Sequence, residues 1–139
     1  MENITQRLQI KQIDEIVETE SQCRIRVTLA NRDKTYYGER TGNIDLIDLD
    51  AKLTLAVQAT LDAITLALIK PISFELKGIN ANEIFEGLGE GVVVVVISTY
   101  DGKSDIVMPG SCRITGDIVE AVVKATLDAT NRITEPYLS

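Results

Sequence analysis

Histidine is absent from the 139 residues, and cysteine occurs only twice. Cys23 and Cys112 stand far apart and form no Cys-x-x-Cys motif, so neither a zinc site nor a Cys-His nucleophile can be assembled within one chain. We interpret both as small core or strand residues. No cofactor and no metal site is expected.

Long apolar runs and clusters of basic residues are also missing. No run approaches the roughly 18 apolar residues that cross a bilayer, and the first residues, MENITQRLQIK, lack the apolar stretch of a secretory signal. The net charge is −7, and the fourteen Lys and Arg residues are scattered along the chain. Because phosphate binding needs clustered cations, we expect no nucleic-acid or membrane-surface partner. Because the chain lacks both an apolar span and a secretory signal, we expect a cytoplasmic protein.

What the chain does contain is an internal repeat. The pentapeptide ATLDA occurs at residues 59–63 and again at 125–129, an offset of 66 residues (125 − 59). Around the second copy, the stretch 116–133 predicts an amphipathic helix, with an apolar stripe opposite Glu120, Lys124, Asp128 and Arg132. Asp117 and Glu120 have the spacing of a capping box, and Thr115 is the alternative N-cap. The stretch around the first copy predicts a twin helix.

The repeat continues upstream of both helices. Alternating apolar and polar residues predict strands at 8–13, at 22–30 and from residue 35, followed by a helix at 51–69. The second half predicts strands at 72–78, 91–98 and 104–108 before the helix at 116–133, with acidic connections at 14–21 and 82–90. We therefore predict an α+β fold: two strand-strand-strand-helix repeats related by a pseudo-two-fold, with antiparallel three-stranded units packed with two helices.

One domain accounts for the whole chain, residues 1–139, because half of this length alone buries little surface. The first repeat unit covers about residues 5–70 and the second about residues 71–135. The run from Val92 to Val96 shows no alternation. It predicts a centre strand with apolar neighbours on both faces, a helix on one side and a subunit partner on the other.

The residues of the last helix resemble a known family, the C-terminal regulatory or dimerisation domain of 2-isopropylmalate synthase and of citramalate synthase. The family's Asp-Ile-Ile-Glu-Ala, Lys-Ala and Ala-x-Asn motifs correspond here to Asp117-Ile118-Val119-Glu120-Ala121, Lys124-Ala125 and Ala129-Thr130-Asn131. Residues 87–90, Gly-Leu-Gly-Glu, resemble the family's turn into its central strand, and Asp101-Gly102 stands where the family has a hairpin. The resemblance covers essentially the whole chain.

The resemblance implies a non-catalytic regulatory module that forms a homodimer and binds a small amino acid, as such domains do in leucine biosynthesis. The catalytic barrel of the synthase is absent, so the family's acyltransferase activity is not expected. Where the family has a Gly-x-Gly-Pro turn, this chain has Leu49-Asp50-Ala51-Lys52. The expected ligand-binding residues are Asp48, Asp50, Ala51, Lys77, Gly78, Gly89 and Gly91, with an aspartate taking the effector's ammonium and the turns lining the pocket.

Other interpretations stay open at this point. The chain also fits a ligand-free assembly module that pairs with a separate synthase or another protein, or an enzyme that uses only Asp and Glu. Asp45, Asp48 and Asp50 suit a divalent cation, but they lack the glycine and distal glutamate of a calcium loop, which favours helix capping. Likewise, Glu120 beside Asp117 is interpreted as part of a helix cap and not as a general acid or base. No catalytic residue is predicted.

Overall fold

The computed structural model describes residues 7–43, 49–85, 87 and 90–138. Its elements are β1 (Gln9–Thr19), β2 (Gln22–Asn31), β3 (Lys34–Asn43), α1 (Leu49–Ala67), β4 (Phe74–Phe85), β5 (Glu90–Tyr100), β6 (Asp105–Arg113) and α2 (Ile118–Thr134), followed by a 3-10 turn at Glu135–Tyr137. The order of three strands and a helix, twice over, confirms the predicted α+β fold with a repeated unit.

Both sheets are antiparallel, with strand orders β1-β2-β3 and β4-β5-β6. The first helix packs on β2 and β3, the second helix packs on β5 and β6, and the two helices contact each other. The first helix also contacts β4, which belongs to the other repeat. The two repeats therefore share one core, which lies where the helices meet the sheets and each other.

The predicted helix stripe and the alternation of β2 are both confirmed. In β2, Cys23, Ile25, Val27 and Leu29 are buried, and the residues between them are half-buried. In α2, Val119, Val122 and Ala125 are among the buried residues, and the four charged positions predicted for the opposite face are exposed. Asp117 is the N-cap, because its carboxylate accepts a hydrogen bond from the Val119 N–H at 3.0 Å.

Several predicted boundaries were wrong. The segment 14–21, predicted as a connection, mostly belongs to β1, which pairs with β2 as far as Thr19. Its acidic residues suit a strand because Glu18 forms an ion pair with Arg24, and Glu15 forms one with Lys52. The strand β4 likewise runs on into the predicted acidic connection and ends at Phe85.

The ends of β6 and α1 also differ from the prediction. Strand β6 continues through Pro109-Gly110, where the sequence predicted its end. It is an edge strand, and a proline without an N–H donor is tolerated at such an edge. Helix α1 ends at Ala67, before the predicted end at residue 69, because Leu68 bridges to Leu138 and the Ile69 N–H donates to the Tyr137 carbonyl at 2.8 Å.

The ATLDA repeat is a packing motif between each helix and the third strand of its sheet. A Cβ atom at Gly38 in β3 would lie 2.0 Å from the carbonyl oxygen of Ala59, and one at Gly110 in β6 would lie 2.1 Å from that of Ala125. Each alanine is the first residue of its motif. A side chain at either glycine would collide with the helix backbone. The glycine therefore allows each helix to pack closely on the third strand of its sheet, at the equivalent position in both repeats.

The aspartate of each motif also binds the third strand. The Asp62 carboxylate accepts two hydrogen bonds from the Arg40 guanidinium, at 2.6 and 3.0 Å. Asp128 accepts a hydrogen bond from the backbone N–H of Ser111 at 3.0 Å. The repeated pentapeptide thus serves the same structural purpose in both units.

The turn between β5 and β6 is the predicted Asp101-Gly102 hairpin. Gly102 has φ +98°, a conformation that favours glycine. The Asp101 carboxylate accepts hydrogen bonds from the N–H groups of Ser104 and Lys103, which lower the pKa of this carboxyl below its ordinary value. Asp101 therefore closes the turn as a carboxylate.

The valine run of β5 is buried on the helix side as predicted. Val93, Val95 and Ile97 face the core and are fully buried. Val92, Val94 and Val96 point to the other face of the sheet and are half-buried. Burial of this outer face under a subunit partner stays a prediction.

Candidate functional site

A cavity of about 350 Å³ lies between the start of α1 and strand β4, and we call it the α1 cavity. It is lined by Asp50, Leu53, Thr54, Leu76, Lys77, Gly78 and Ile79. Three of the residues predicted to bind a ligand, Asp50, Lys77 and Gly78, thus lie together although they come from different repeats. Its size lies within the range of small-molecule sites, roughly 300–1,000 Å³.

The α1 cavity combines both signs of charge with an apolar wall. Asp50 lies in the first turn of α1, where the helix dipole favours a carboxylate. The Lys77 ammonium lies 3.3 Å from the Glu75 carboxylate, and both side chains are largely exposed, so the lysine is loosely held. A ligand with an ammonium and a carboxylate group has a partner for each of them here, and its apolar part would lie against leucine and isoleucine side chains.

The glycine at position 78 has free space beside it. A Cβ atom there would meet no atom within 4 Å. Gly78 is therefore not required for close packing, unlike Gly38 and Gly110.

The remaining predicted ligand-binding residues do not join this cavity. Ala51 follows Asp50 in α1 and packs against the core. Gly91 lies on β5 five residues from Val96, the partner of Gly78, which places it about 17 Å away along the strand. Its carbonyl accepts a hydrogen bond from the Ile114 N–H. Asp48 and Gly89 lie outside the described residues, as does Asp45 of the predicted cation cluster.

Two larger grooves run along the helices at the boundary between the repeats. The α2 groove, about 660 Å³, lies between α2 and residues 8–13 at the start of β1. The α1 groove, about 540 Å³, lies between α1 and residues 72–76 at the start of β4. Five helix positions lining the α1 groove recur 66 residues later in the α2 groove: Thr54, Gln58, Leu61, Asp62 and Thr65 correspond to Glu120, Lys124, Leu127, Asp128 and Asn131. The two grooves are therefore equivalent sites of the two repeats.

The α2 groove contains residues that the sequence did not single out as site residues. The side-chain oxygen of Asn131 is buried without a hydrogen-bond partner, whereas Thr65 at the equivalent position donates to the Leu61 carbonyl at 2.8 Å. Lys11 lines the same groove from β1. The 66-residue repeat could have indicated Asn131, but only the fold brings residues 8–13 and α2 to the two sides of one groove.

The other candidate chemical groups have structural partners. Asp117 caps α2, as predicted. Glu120 forms an ion pair with Lys124 at 3.2 Å, and its part in the predicted capping box stays a prediction. Burial raises the pKa of the Cys23 thiol and, likewise, that of Cys112, so both favour the protonated form. Among the residues that the structure describes, no group of three or more Asp, Glu or Cys side chains is placed to hold a metal ion.

No helix in the described part of the chain is long and apolar enough to cross a membrane. A scan of protein-family models finds no match to this chain, and neither does a search of curated protein sequences. The relation to the regulatory domain of 2-isopropylmalate synthase therefore stays a resemblance, carried by the motifs quoted above.

Proposed function

We propose that this protein is a non-catalytic regulatory module that binds a small amino acid and assembles as a homodimer, in the manner of the domain it resembles. The observation that carries the proposal is the α1 cavity, where Asp50, Lys77 and Gly78 surround an apolar wall. In this proposal Asp50 binds the ammonium group of the ligand, and Lys77 binds its carboxylate. Leucine and isoleucine are the first ligands to test, because Leu53, Leu76 and Ile79 suit an aliphatic side chain.

The test is a thermal-shift titration of the purified protein with branched-chain amino acids, their keto acids and acyl-CoA compounds. A ligand that binds only the folded state stabilises it by RT ln(1 + [L]/Kd), about 2.7 kcal/mol at a hundredfold excess over Kd. We expect a saturable rise in Tm with leucine or isoleucine. The absence of a shift with every amino acid would reject amino-acid binding.

Variants locate the site. Asp50→Asn and Lys77→Met should each weaken binding at least tenfold, because each removes one charge partner of the ligand. Lys11→Met is the matched control, since it removes the same charge from the α2 groove. Binding that is lost with Lys11→Met and kept with Lys77→Met would place the ligand in the α2 groove and reject the α1 cavity.

The second candidate function is a ligand-free assembly module that pairs with a separate synthase or another chain. Two observations favour it: Leu49-Asp50-Ala51-Lys52 replaces the glycine-rich turn of the family, and the second sheet has an apolar outer face. This candidate predicts no Tm shift with any metabolite and co-purification with a larger chain of defined stoichiometry. A specific shift with an amino acid would reject it.

A further inference from the structure

The outer face of the second sheet, the side away from α2, is apolar at its centre. We call this the valine face and define it by Val92, Val94, Val96, Val107 and Pro109. Val107 is 59% exposed, and the three β5 valines are half-buried with no helix over them among the described elements. Charged residues border this centre, with Glu75 on β4, and Glu90 and Arg113 at one end.

The first sheet supplies an internal comparison. Val27 pairs with Gly38 and Val95 pairs with Gly110, so these two glycine contacts align the repeats. By this alignment, Arg24, Arg26 and Thr28 of β2 stand where β5 has Val92, Val94 and Val96. The centre strands of the two equivalent faces thus have the same backbone and opposite chemistry.

The first sheet pairs the charges of its centre strand from within the chain. Arg24 forms ion pairs with Glu18 and Glu39. Arg26 lies 3.3 Å from the Glu39 carboxylate, and its guanidinium stacks 4.8 Å over the Tyr37 ring. A charged, internally paired face is suited to water, whereas a contiguous aliphatic face with a polar rim has the composition of an interface.

We propose that the valine face packs against the same face of a second copy of this chain. The inference rests on the homodimer proposed above and names its surface. Consider a two-fold axis that lies between the two packed sheets, parallel to their planes, and that crosses the strands at right angles near Pro109. Such an axis would place β6 over the partner's β6 with the two strands running in opposite directions. Asp105 at one end of β6 would then approach the partner's Arg113 from the other end, twice in the dimer. Arg113 already pairs with Glu90 of its own chain, so the partner's Asp105 would add a second carboxylate to this guanidinium. This charge complementarity between the two ends of β6 favours a second copy as the occupant.

The available area predicts a weak dimer. Three strands at the usual spacing of about 4.8 Å and about nine residues of length give a face of roughly 400 Å² per copy. Two such faces bury less than the roughly 1,200 Å² at which stable interfaces begin. The dimer should therefore form reversibly as the protein concentration rises.

Sedimentation equilibrium between about 10 µM and about 1 mM tests the proposal over the range of weak association. Val107→Glu is the main variant, because it puts a charge on the face at an already exposed position. Thr35→Glu is its matched control at the equivalent exposed position of β3 in the first sheet. We expect Val107→Glu to weaken dimerisation at least tenfold and Thr35→Glu to leave it unchanged. A wild-type protein that stays monomeric throughout, or equal weakening by both variants, would overturn the proposal.

The orientation has its own test. Asp105→Arg should weaken the dimer by placing like charges together, and the double variant Asp105→Arg with Arg113→Asp should restore it. Weakening without restoration would overturn the two-fold arrangement. The Val107→Glu variant also separates the two proposals, because Val107 does not line the α1 cavity. A ligand-induced rise in Tm that is kept in this variant supports amino-acid binding independently of dimerisation. A loss of dimerisation in this variant tests the valine face alone.

Discussion

At the scale of the residue, two glycines determine how closely helix and sheet approach. Gly38 and Gly110 face the first alanine of each ATLDA motif, and neither has a left-handed backbone. The requirement for glycine is therefore one of space and not of backbone conformation. Sequence inspection found the pentapeptides because they repeat, but it did not find the glycines, since their offset of 72 residues (110 − 38) differs from that of the helices.

Replacement of either glycine by alanine should be strongly destabilising. The added Cβ would lie about 2 Å from a helix carbonyl oxygen, so the helix must shift, at a cost of about 3 kcal/mol or more. Urea unfolding of Gly38→Ala and Gly110→Ala measures this cost. Gly116→Ala is the control, because a Cβ there meets nothing within 4 Å. A loss below about 1 kcal/mol at both buried glycines would contradict the packing role.

At the scale of the element, the two helices are more alike in sequence and contacts than the strands of the two repeats are. Thr60 in α1 and Thr126 in α2 are both fully buried, and each donates its hydroxyl to the carbonyl four residues earlier, at 2.7 and 2.8 Å. These bonds satisfy the hydroxyls within the helix, so a threonine can lie in the core at this position. The strands carry the repeat less faithfully because their outer faces and hairpin lengths differ.

The cap of α2 is the element-level prediction. Asp117→Ala removes the acceptor of the Val119 N–H and should cost about 1 kcal/mol of unfolding free energy. Asp117→Asn keeps an acceptor oxygen and should stay within a few tenths of a kcal/mol of the wild type. Denaturant unfolding of the two variants decides the matter. Equal losses in both would show that the charge of Asp117, and not its cap hydrogen bond, stabilises the helix.

At the scale of the whole molecule, neither repeat is complete by itself. Ala56, Val57, Thr60 and Ile64 of α1 are fully buried in a core that α1 forms with its own sheet, with α2 and with β4. A separated repeat would expose part of this surface to water. A second copy of the same repeat could cover that surface, since the two repeats have the same architecture.

Expression of residues 1–70 and 71–139 as separate chains tests this interdependence. We expect neither half to fold as a monomer, because the helix face that meets the other repeat would be exposed. Circular dichroism with light scattering, on each half and on their mixture, measures folding and mass together. Mixing should restore the folded state, and a half that folds cooperatively as a monomer would show that the core is not shared.

The fold was predictable from the sequence to the level of the repeated unit, and the site only in part. The spacing of apolar residues identified α2 and β2, because periodicity reports directly which side of an element is buried. The length of β1 was not predicted, because the acidic residues Asp14, Glu15 and Glu18 are typical of a solvated connection. The structure shows instead that this segment pairs with β2 and that Glu18 and Glu15 form ion pairs with Arg24 and Lys52. Asp50 was chosen as a partner for an ammonium group and Lys77 from a predicted turn at 77–78, but the structure places Lys77 and Gly78 inside strand β4. Only the packing of β4 against α1 brings Asp50 and Lys77 to one cavity.

The sequence by itself determined the order of the elements, the repeat and the faces of the helices, since these follow from local residue spacing. The tertiary structure alone decided that Gly38 and Gly110 are contact points, that the start of β1 and α2 line one groove, and that the outer faces of the two sheets differ in the partners available to them. The physical reason is distance along the chain. Contacts between residues far apart depend on how the two repeats pack, and local periodicity carries no information about that arrangement.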